Sequence, residues 1–378
     1  MQVAPFYRTG LIVLLVGGII PVPVRALLTF DEGHDQLFAT GSFSMAYDTN
    51  IGANRFAQAD MIYSAGAGLE YSRRAGIISV DASTGMSVSR FNKTTSDDFS
   101  DPHLQTEFSA KDDRTTTDLT LNAARQSEAD IVSGVRAVSW DYAAGLDTSY
   151  RVTDRYSLSS ILGYTLKDFV KEPGLANLTS YNAGLSLAYT IDSARDLFMG
   201  YNFGLQETSH NTSFDNHSFN VGIEGKILPK LKGTVSIGYE LEVPHGSTDH
   251  GTGSMTDAVD LAWNFSRRLK IAANLSQNFS ATSTTGSVNT LAASLDAAFS
   301  LDSKTSLTSG VGGGYSRFIG AVSAGRRDTD FTWNAGVSHT INDHFTTSLG
   351  YTHYENWSTA SLSDFIRNTI SLALSMRF

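Results

Sequence analysis

The final stretch, Ile366-Arg367-Asn368-Thr369-Ile370-Ser371-Leu372-Ala373-Leu374-Ser375-Met376-Arg377-Phe378, decides the fold. Ile366, Ile370, Leu372, Leu374, Met376 and Phe378 occupy every second position, with Asn368 the one polar interruption. Arg, Thr, Ser and Ala fill the places between. A period of two puts the apolar set on one face of an extended strand and the polar set on the other. Working outward, the same alternation recurs in about eighteen segments. They run from Leu37 to Tyr47, Met61 to Tyr71, Ile78 to Val88, Leu104 to Ala110, Thr117 to Ala123 and Val138 to Leu146. Tyr156 to Leu166, Tyr181 to Ile191, Leu197 to Leu205, Phe219 to Ile227, Leu231 to Leu241 and Val259 to Phe265 follow. Leu269 to Phe279, Leu291 to Phe299, Leu307 to Tyr315, Phe331 to Ile341, Phe345 to Tyr351 and Ile366 to Phe378 complete the set. Most are near the length of a tilted membrane-spanning strand, about 9–11 residues.

The connections alternate as well. Tight turns are expected at Arg73–Gly76, Asp112–Arg114, Thr153–Arg155, Asp192–Asp196, Leu228–Lys230, Ser266–Arg268, Asp302–Lys304 and Asn342–His344. Longer polar loops are expected at Asn50–Ala59, Asn92–Pro102, Lys171–Ser180 and Pro244–Ser254. Short turns on one side and longer loops on the other are the habit of outer-membrane barrels. The apolar face of these segments shows no Asp, Glu, Lys or Arg away from its ends. A mid-membrane Lys or Arg there costs about 2–4 kcal/mol. Tyr47, Tyr71, Tyr150, Tyr156, Phe265, Phe299 and Tyr351 fit aromatic girdles at the two interfaces. Lipid offers the backbone no hydrogen bonds, so a spanning sheet must close on itself. The expected fold is therefore all-β: a transmembrane antiparallel up-and-down barrel of about eighteen strands over residues 37–378, with sixteen strands as the next choice.

Composition agrees. Charged residues make up 17% of the 378, below the roughly 25% of soluble domains. No run after the N-terminus reaches the about 20 apolar residues of a spanning helix. The absence of cysteine removes disulfides and thiolate chemistry, and a net charge of −10 argues against a nucleic-acid partner. Residues 1–26 read as a signal peptide: Arg8, then the apolar Leu11–Ile20, then Val24-Arg25-Ala26 before a mature start at Leu27. Residues 27–36 are expected as a periplasmic N-terminal segment.

The terminal Leu372-Ala373-Leu374-Ser375-Met376-Arg377-Phe378 resembles the last strand of bacterial outer-membrane proteins, which ends on an aromatic. That resemblance implies that Phe378, Met376 and Leu374 are the signal read by barrel-assembly machinery during insertion. A narrower resemblance lies in Tyr47-Asp48-Thr49-Asn50-Ile51, Ile62-Tyr63, Gly68-Leu69-Glu70-Tyr71 and Arg90-Phe91. These are similar to the opening of the putative β-barrel porin 2 family. Its members imply either an uncharacterised barrel or an outer-membrane partner in exopolysaccharide export.

The polar face carries Glu70, Asp81, Glu107, Asp118, Asp141, Asp147, Glu224, Glu240, Asp260 and Asp296. No loop is long enough to be an obvious folded plug, so these acids are expected to line a wet, unplugged lumen at mid-depth. Such acids attract cations. The expected function is a porin-like channel for small hydrophilic solutes. Exopolysaccharide export and a structural or adhesive role are the alternatives. Outer-membrane lipid is the expected surrounding, and no cofactor or metal is expected. Gly310-Val311-Gly312-Gly313-Gly314-Tyr315 lacks the Lys-Ser/Thr and the helix of a phosphate loop and reads as strand. His245, Asp249 and His250 share one polar loop on no regular element and read as solvated, not as metal ligands. His339 and His353 have no serine placed to act with them, since Ser338 points to the opposite face from His339. No enzyme is expected.

Overall fold

The computed structural model describes residues 27–30, 34–170, 172, 174–245, 251–284, 286–320, 325–360 and 363–378. The expected leader, residues 1–26, lies outside them. A short strand, β1 (Leu28–Phe30), precedes β2 (Asp35–Asp48), and β19 (Phe365–Arg377) ends the wall. Between them stand eight hairpins. They are β3 (Asp60–Ala75) with β4 (Ile78–Phe91), β5 (Phe99–Lys111) with β6 (Thr115–Asp130), β7 (Val135–Arg151) with β8 (Tyr156–Phe169), and β9 (Leu178–Asp192) with β10 (Arg195–Thr208). Then come β11 (Ser213–Leu228) with β12 (Leu231–Pro244), β13 (Thr252–Trp263) with β14 (Leu269–Ala281), β15 (Ser287–Ser300) with β16 (Thr305–Ile319), and β17 (Arg327–Thr340) with β18 (Phe345–Ser358). Each strand from β2 onward pairs antiparallel with the next, and β19 pairs with β2. The result is a closed barrel of eighteen strands, the number the alternation implied.

All eight turns fall where the sequence placed them. Thr153, Ser266, Asp302 and Asn342 each open one, and each side-chain oxygen accepts the backbone N–H groups two and three residues on. This pre-forms the reversal from a local side-chain bond. The N–H groups of Lys304 and Thr305 hold the Asp302 carboxyl below its ordinary pKa.

Closure is stapled at both ends. At the turn end, which is the periplasmic end of such barrels, Phe378 and Ala39 exchange main-chain bonds of 2.9 Å. The Phe378 ring packs on His344 and Phe345 at 4.9 and 5.7 Å between centroids. Just past it, β1 pairs with Asp35–Leu37, so the expected periplasmic segment is partly sheet. At the other end Asp48, 1% exposed, takes a 2.6 Å ion pair from Arg367. The Asn50 side chain donates to the carbonyls of Asn54 and Ile366 at 2.7 and 3.2 Å. Residues that carried the family resemblance thus join the first strand to the last.

Large apolar side chains form the outer face, among them Phe43, Leu69, Met86, Leu185, Met199, Ile237, Leu295 and Leu372. Aromatic pairs gather toward its rims: Tyr156–Tyr189 and Trp263–Phe265 at the periplasmic rim, Trp140–Tyr142 and Tyr164–Tyr181 at the other. Tyr351, read as a rim residue, stands nearer the middle of β18, against Trp333 at 5.3 Å. Asp257, midway along β13, breaks the expectation of an uncharged wall. Asp257 pairs with the outward Ile237 and borders an apolar groove of about 490 Å³ with Leu197, Val221, Val259 and Leu275. It escaped the sequence reading because that segment was begun at Val259.

Most of the buried residues sit at the outer end; Asp35, Phe38 and Ala188 are buried near the periplasmic one. Strands run further than the sequence suggested: Phe99–Pro102, Leu178–Ser180 and Thr252–Ser254, read as loop, are strand. These extensions stay in the wall, laddered to β4, to β8 and β10, and to β12. The β5–β6 ladder reaches only His103–Ala124, beside Pro102, whose ring nitrogen has no hydrogen to give. The β13–β14 ladder reaches only Ala258–Ser276. Above those points the β6–β7 and β14–β15 hairpins lean over the barrel.

Candidate functional site

The two leaning hairpins meet. Ser283, beyond β14, donates to the carboxylate of Asp130, at the tip of β6, at 3.2 Å. Around that contact Arg326 donates to the carbonyl of Val132 at 2.8 Å, and Asn54 to that of Gly134 at 3.1 Å. The Arg136 guanidinium lies over Phe91 and Phe99, 4.9 and 5.2 Å from their centroids, and reaches the Ile51 carbonyl. Ala53, Tyr354 and Phe365 form a small apolar core, with Ala129 and Ile131 packed on it. The expectation of an unplugged lumen is corrected here: two hairpins and the loops after β2 and β16 interlock across the outer mouth. Arg136, Asp130 and Ser283 were not legible as functional, because the contacts that cross the mouth join distant positions: 153 residues separate Ser283 from Asp130, and 85 separate Arg136 from Ile51.

All ten carboxylates picked from the sequence project from the interior face, as the cross-strand registers require. Their depth differs from expectation. Asp81 stands three residues from the strand end at Ile78, Asp118 three from Thr115, and Asp260 three from Trp263. Glu107, Asp147, Glu224 and Asp296 stand four from Lys111, Arg151, Leu228 and Ser300, and Glu70 five from Ala75. Every one of those ends is periplasmic. Eight of the ten acids therefore form a girdle near the periplasmic end, with only Asp141 and Glu240 higher.

Within the girdle, Asp81 lies directly opposite Glu107, and Asp118 opposite Asp147. Asp196, which the sequence did not single out, lies opposite Glu224. Like charges directly opposite in a ladder destabilise it, so these pairs do not serve the fold. Some acids are neutralised: Glu70 by Arg377 at 2.8 Å and Asp81 by Arg74 at 2.6 Å. Higher up, Asp141 meets Lys167 at 3.7 Å, and Lys167 also meets Glu128 at 3.3 Å. Among the described residues Glu107, Asp118, Asp147, Glu224, Asp260 and Asp296 make no ion pair. Ser109 donates to Asp118, and Ser294 to Asp296 at 3.3 Å. Glu240 is not in the open lumen; it is 8% exposed under the β14 tip and accepts the N–H of Phe279 at 3.3 Å. A cavity of about 540 Å³ opens beside the girdle, lined by Gln36, Phe38, Glu70, Asp81, Glu107 and Arg377 among others.

The glycine stripe is not an open groove. A side chain at Gly310 would strike Asp296 and Asn334, and one at Gly314 would strike Asp330. Those neighbours lie flat over the stripe. Asp249 and His250 lie outside the described residues. His245 instead holds Asp215 at 2.6 Å, with the Ser213 hydroxyl at 3.5 Å on its other ring nitrogen. That distance exceeds the roughly 2.6–3.2 Å at which a histidine takes up a proton.

The family model for putative beta-barrel porin 2 matches residues 215–378. The match covers the C-terminal part, not the N-terminal motifs that suggested the family. No curated protein matches the chain in sequence. Among solved structures, Pseudomonas aeruginosa OpdK with vanillate is 9% identical with a TM-score of 0.52, covering 90% of this chain and 99% of that one. Acinetobacter baumannii OccAB2 is 10% identical with a TM-score of 0.50, covering 91% and 98%. At that identity the likeness is one of fold. A closed wall of eighteen strands, an apolar belt outside, carboxylates inside and a family match over the C-terminal part make the chain a porin-like outer-membrane β-barrel.

Proposed function

We propose that this barrel is a passive channel for small hydrophilic solutes that favours cations and neutral molecules over anions. The supporting observation is the periplasmic girdle: with Asp196 counted, seven carboxylates make no ion pair among the described residues, and three like-charge pairs cost the fold stability. A ring of carboxylates raises the local cation concentration and repels anions. Vanillate, present with OpdK, is an aromatic carboxylate. The girdle argues against a similar anion as the cargo here. Delivery by a leader cleaved before Leu27, and insertion directed by Phe378, Met376 and Leu374, belong to the same reading. Neither the geometry nor the comparisons favour exopolysaccharide export.

Purified protein in a planar bilayer separating unequal KCl solutions should give a reversal potential of cation-selective sign. Asp118→Lys with Asp147→Lys should move that potential toward anion preference, because this pair is uncompensated. Asp141→Lys should move it less, because Lys167 already offsets Asp141. A membrane that stays sealed, or an anion-selective wild type, overturns the proposal.

A further inference from the structure

We infer that the outer end of β14, Gln277–Ala281, is a gate that exchanges two partners: the mouth of the barrel and the free edge of β13. This rests on the channel reading above. The β13–β14 ladder stops at Ala258–Ser276, although both strands continue, β13 up to Thr252 and β14 to Ala281. Extending that register would pair Asp257 with Gln277, Met255 with Phe279 and Gly253 with Ala281. Those pairs are unmade. Side chains bridge the seam instead: Thr256 donates to the Gln277 carbonyl and Gln277 to the Ser254 hydroxyl, both at 2.8 Å.

The segment has moved inward. The N–H of Phe279 finds Glu240 on β12, and that of Ala281 finds Gln206 on β10, so the segment passes across the inner face of its neighbours. Ser287, at the start of β15, donates to Glu242 at 2.5 Å, and Ser283 crosses to Asp130. Phe279 is 2% exposed there. Alternation from Leu275 assigns Phe279 to the lipid face, beside Met255. Its present burial is therefore a departure from the strand's own pattern.

The inward position is imperfectly satisfied. Glu242 Oε2 and Asn289 Nδ2 are buried without a partner, as is Asn216 Oδ1 on β11, whose residue lies opposite Glu242. A barrel wall in lipid also loses by leaving ladder bonds unmade. Swinging the segment outward restores those bonds and withdraws Ser283 from Asp130. Each position satisfies what the other leaves open, which is the condition for two populated states. Outward, the wall is zipped and the mouth open; inward, the seam is loose and the mouth spanned.

The chain has no cysteine, so paired substitutions report cleanly. Met255→Cys with Phe279→Cys should form a disulfide on mild oxidation in the membrane, trapping the zipped wall and raising conductance severalfold. Thr256→Cys with Asn278→Cys tests the same register from the lumen side. Asp130→Cys with Ser283→Cys, joined by a short thiol crosslinker, should lower conductance severalfold, and reductant or cleavage should restore it. Resistance of each unheated variant to denaturation in detergent confirms folding. A conducting wild type whose zipped disulfides form but leave conductance unchanged overturns the gate. Should the wild type not conduct, the channel reading fails, and disulfide formation still decides whether the segment swings: its absence in both zipped pairs overturns the inference.

Discussion

Asp257 is the side chain most at odds with its surroundings. It is on the outer wall opposite Ile237, among Val221, Val259 and Leu275, midway along β13. Ionised carboxylates on a lipid face cost less than Lys or Arg but still destabilise. Asp257→Leu should therefore raise stability by about 1–2 kcal/mol, read as the shift of the urea midpoint in lipid vesicles. An unchanged midpoint would mean that Asp257 is hydrated in the folded wall. Inward or outward orientation was legible for every carboxylate chosen from the sequence, because alternation needs only the residues on either side. Asp257 was missed because that signal fades where a segment is short. Between Gly251 and Ala258 the strand alternates weakly, with Gly253, Met255 and Asp257 on its outer face. The like-charge partner Asp196 was invisible for another reason: pairing it with Glu224 requires the β10–β11 register, which no single segment contains.

Among the elements, turns were the most legible and strand ends the least. Thr153, Ser266, Asp302 and Asn342 act within three residues of themselves, so their chemistry is printed locally. Closure of β19 on β2 depends instead on groups about 320 residues apart. Asp48 accepts from Arg367 Nε and Nη2 at 2.9 and 2.6 Å, and from the N–H of Asn50 at 2.8 Å. Removing one partner of such a buried pair leaves an uncompensated charge, a loss of about 3–5 kcal/mol. Asp48→Ala should lower stability by about that much, and should do so by opening the first-to-last seam. Hydrogen exchange would show β2 and β19 losing protection before β8 and β9. A uniform loss across all strands would remove the staple from Asp48. The seam at β13–β14 was not legible because both strands carry ordinary alternation right through it; only the register shows that they part.

At the scale of the whole barrel, the sign of the interior charge was legible and its depth was not. Depth depends on where each strand ends, and the outer ends ran further than their polarity suggested. The consequence is an asymmetric molecule: an acidic girdle near the periplasmic end and an interlocked mouth at the other. On the proposed reading the girdle acts through its field, because seven of its carboxylates make no ion pair among the described residues. A field of that kind reaches about 10 Å at 0.1 M salt and about 3 Å at 1 M. Cation preference should therefore be strong in dilute KCl and fade as salt rises, as reversal potentials at a fixed concentration ratio would record. It should fade sooner when the added salt is on the periplasmic side, where the counter-ions reach the girdle first. Raising salt on the outer side alone must reach the same carboxylates through the spanned mouth and should act less. Equal sensitivity to salt on both sides would place the filter at mid-depth, and a preference indifferent to salt would make it a contact site with no role for the long-range field.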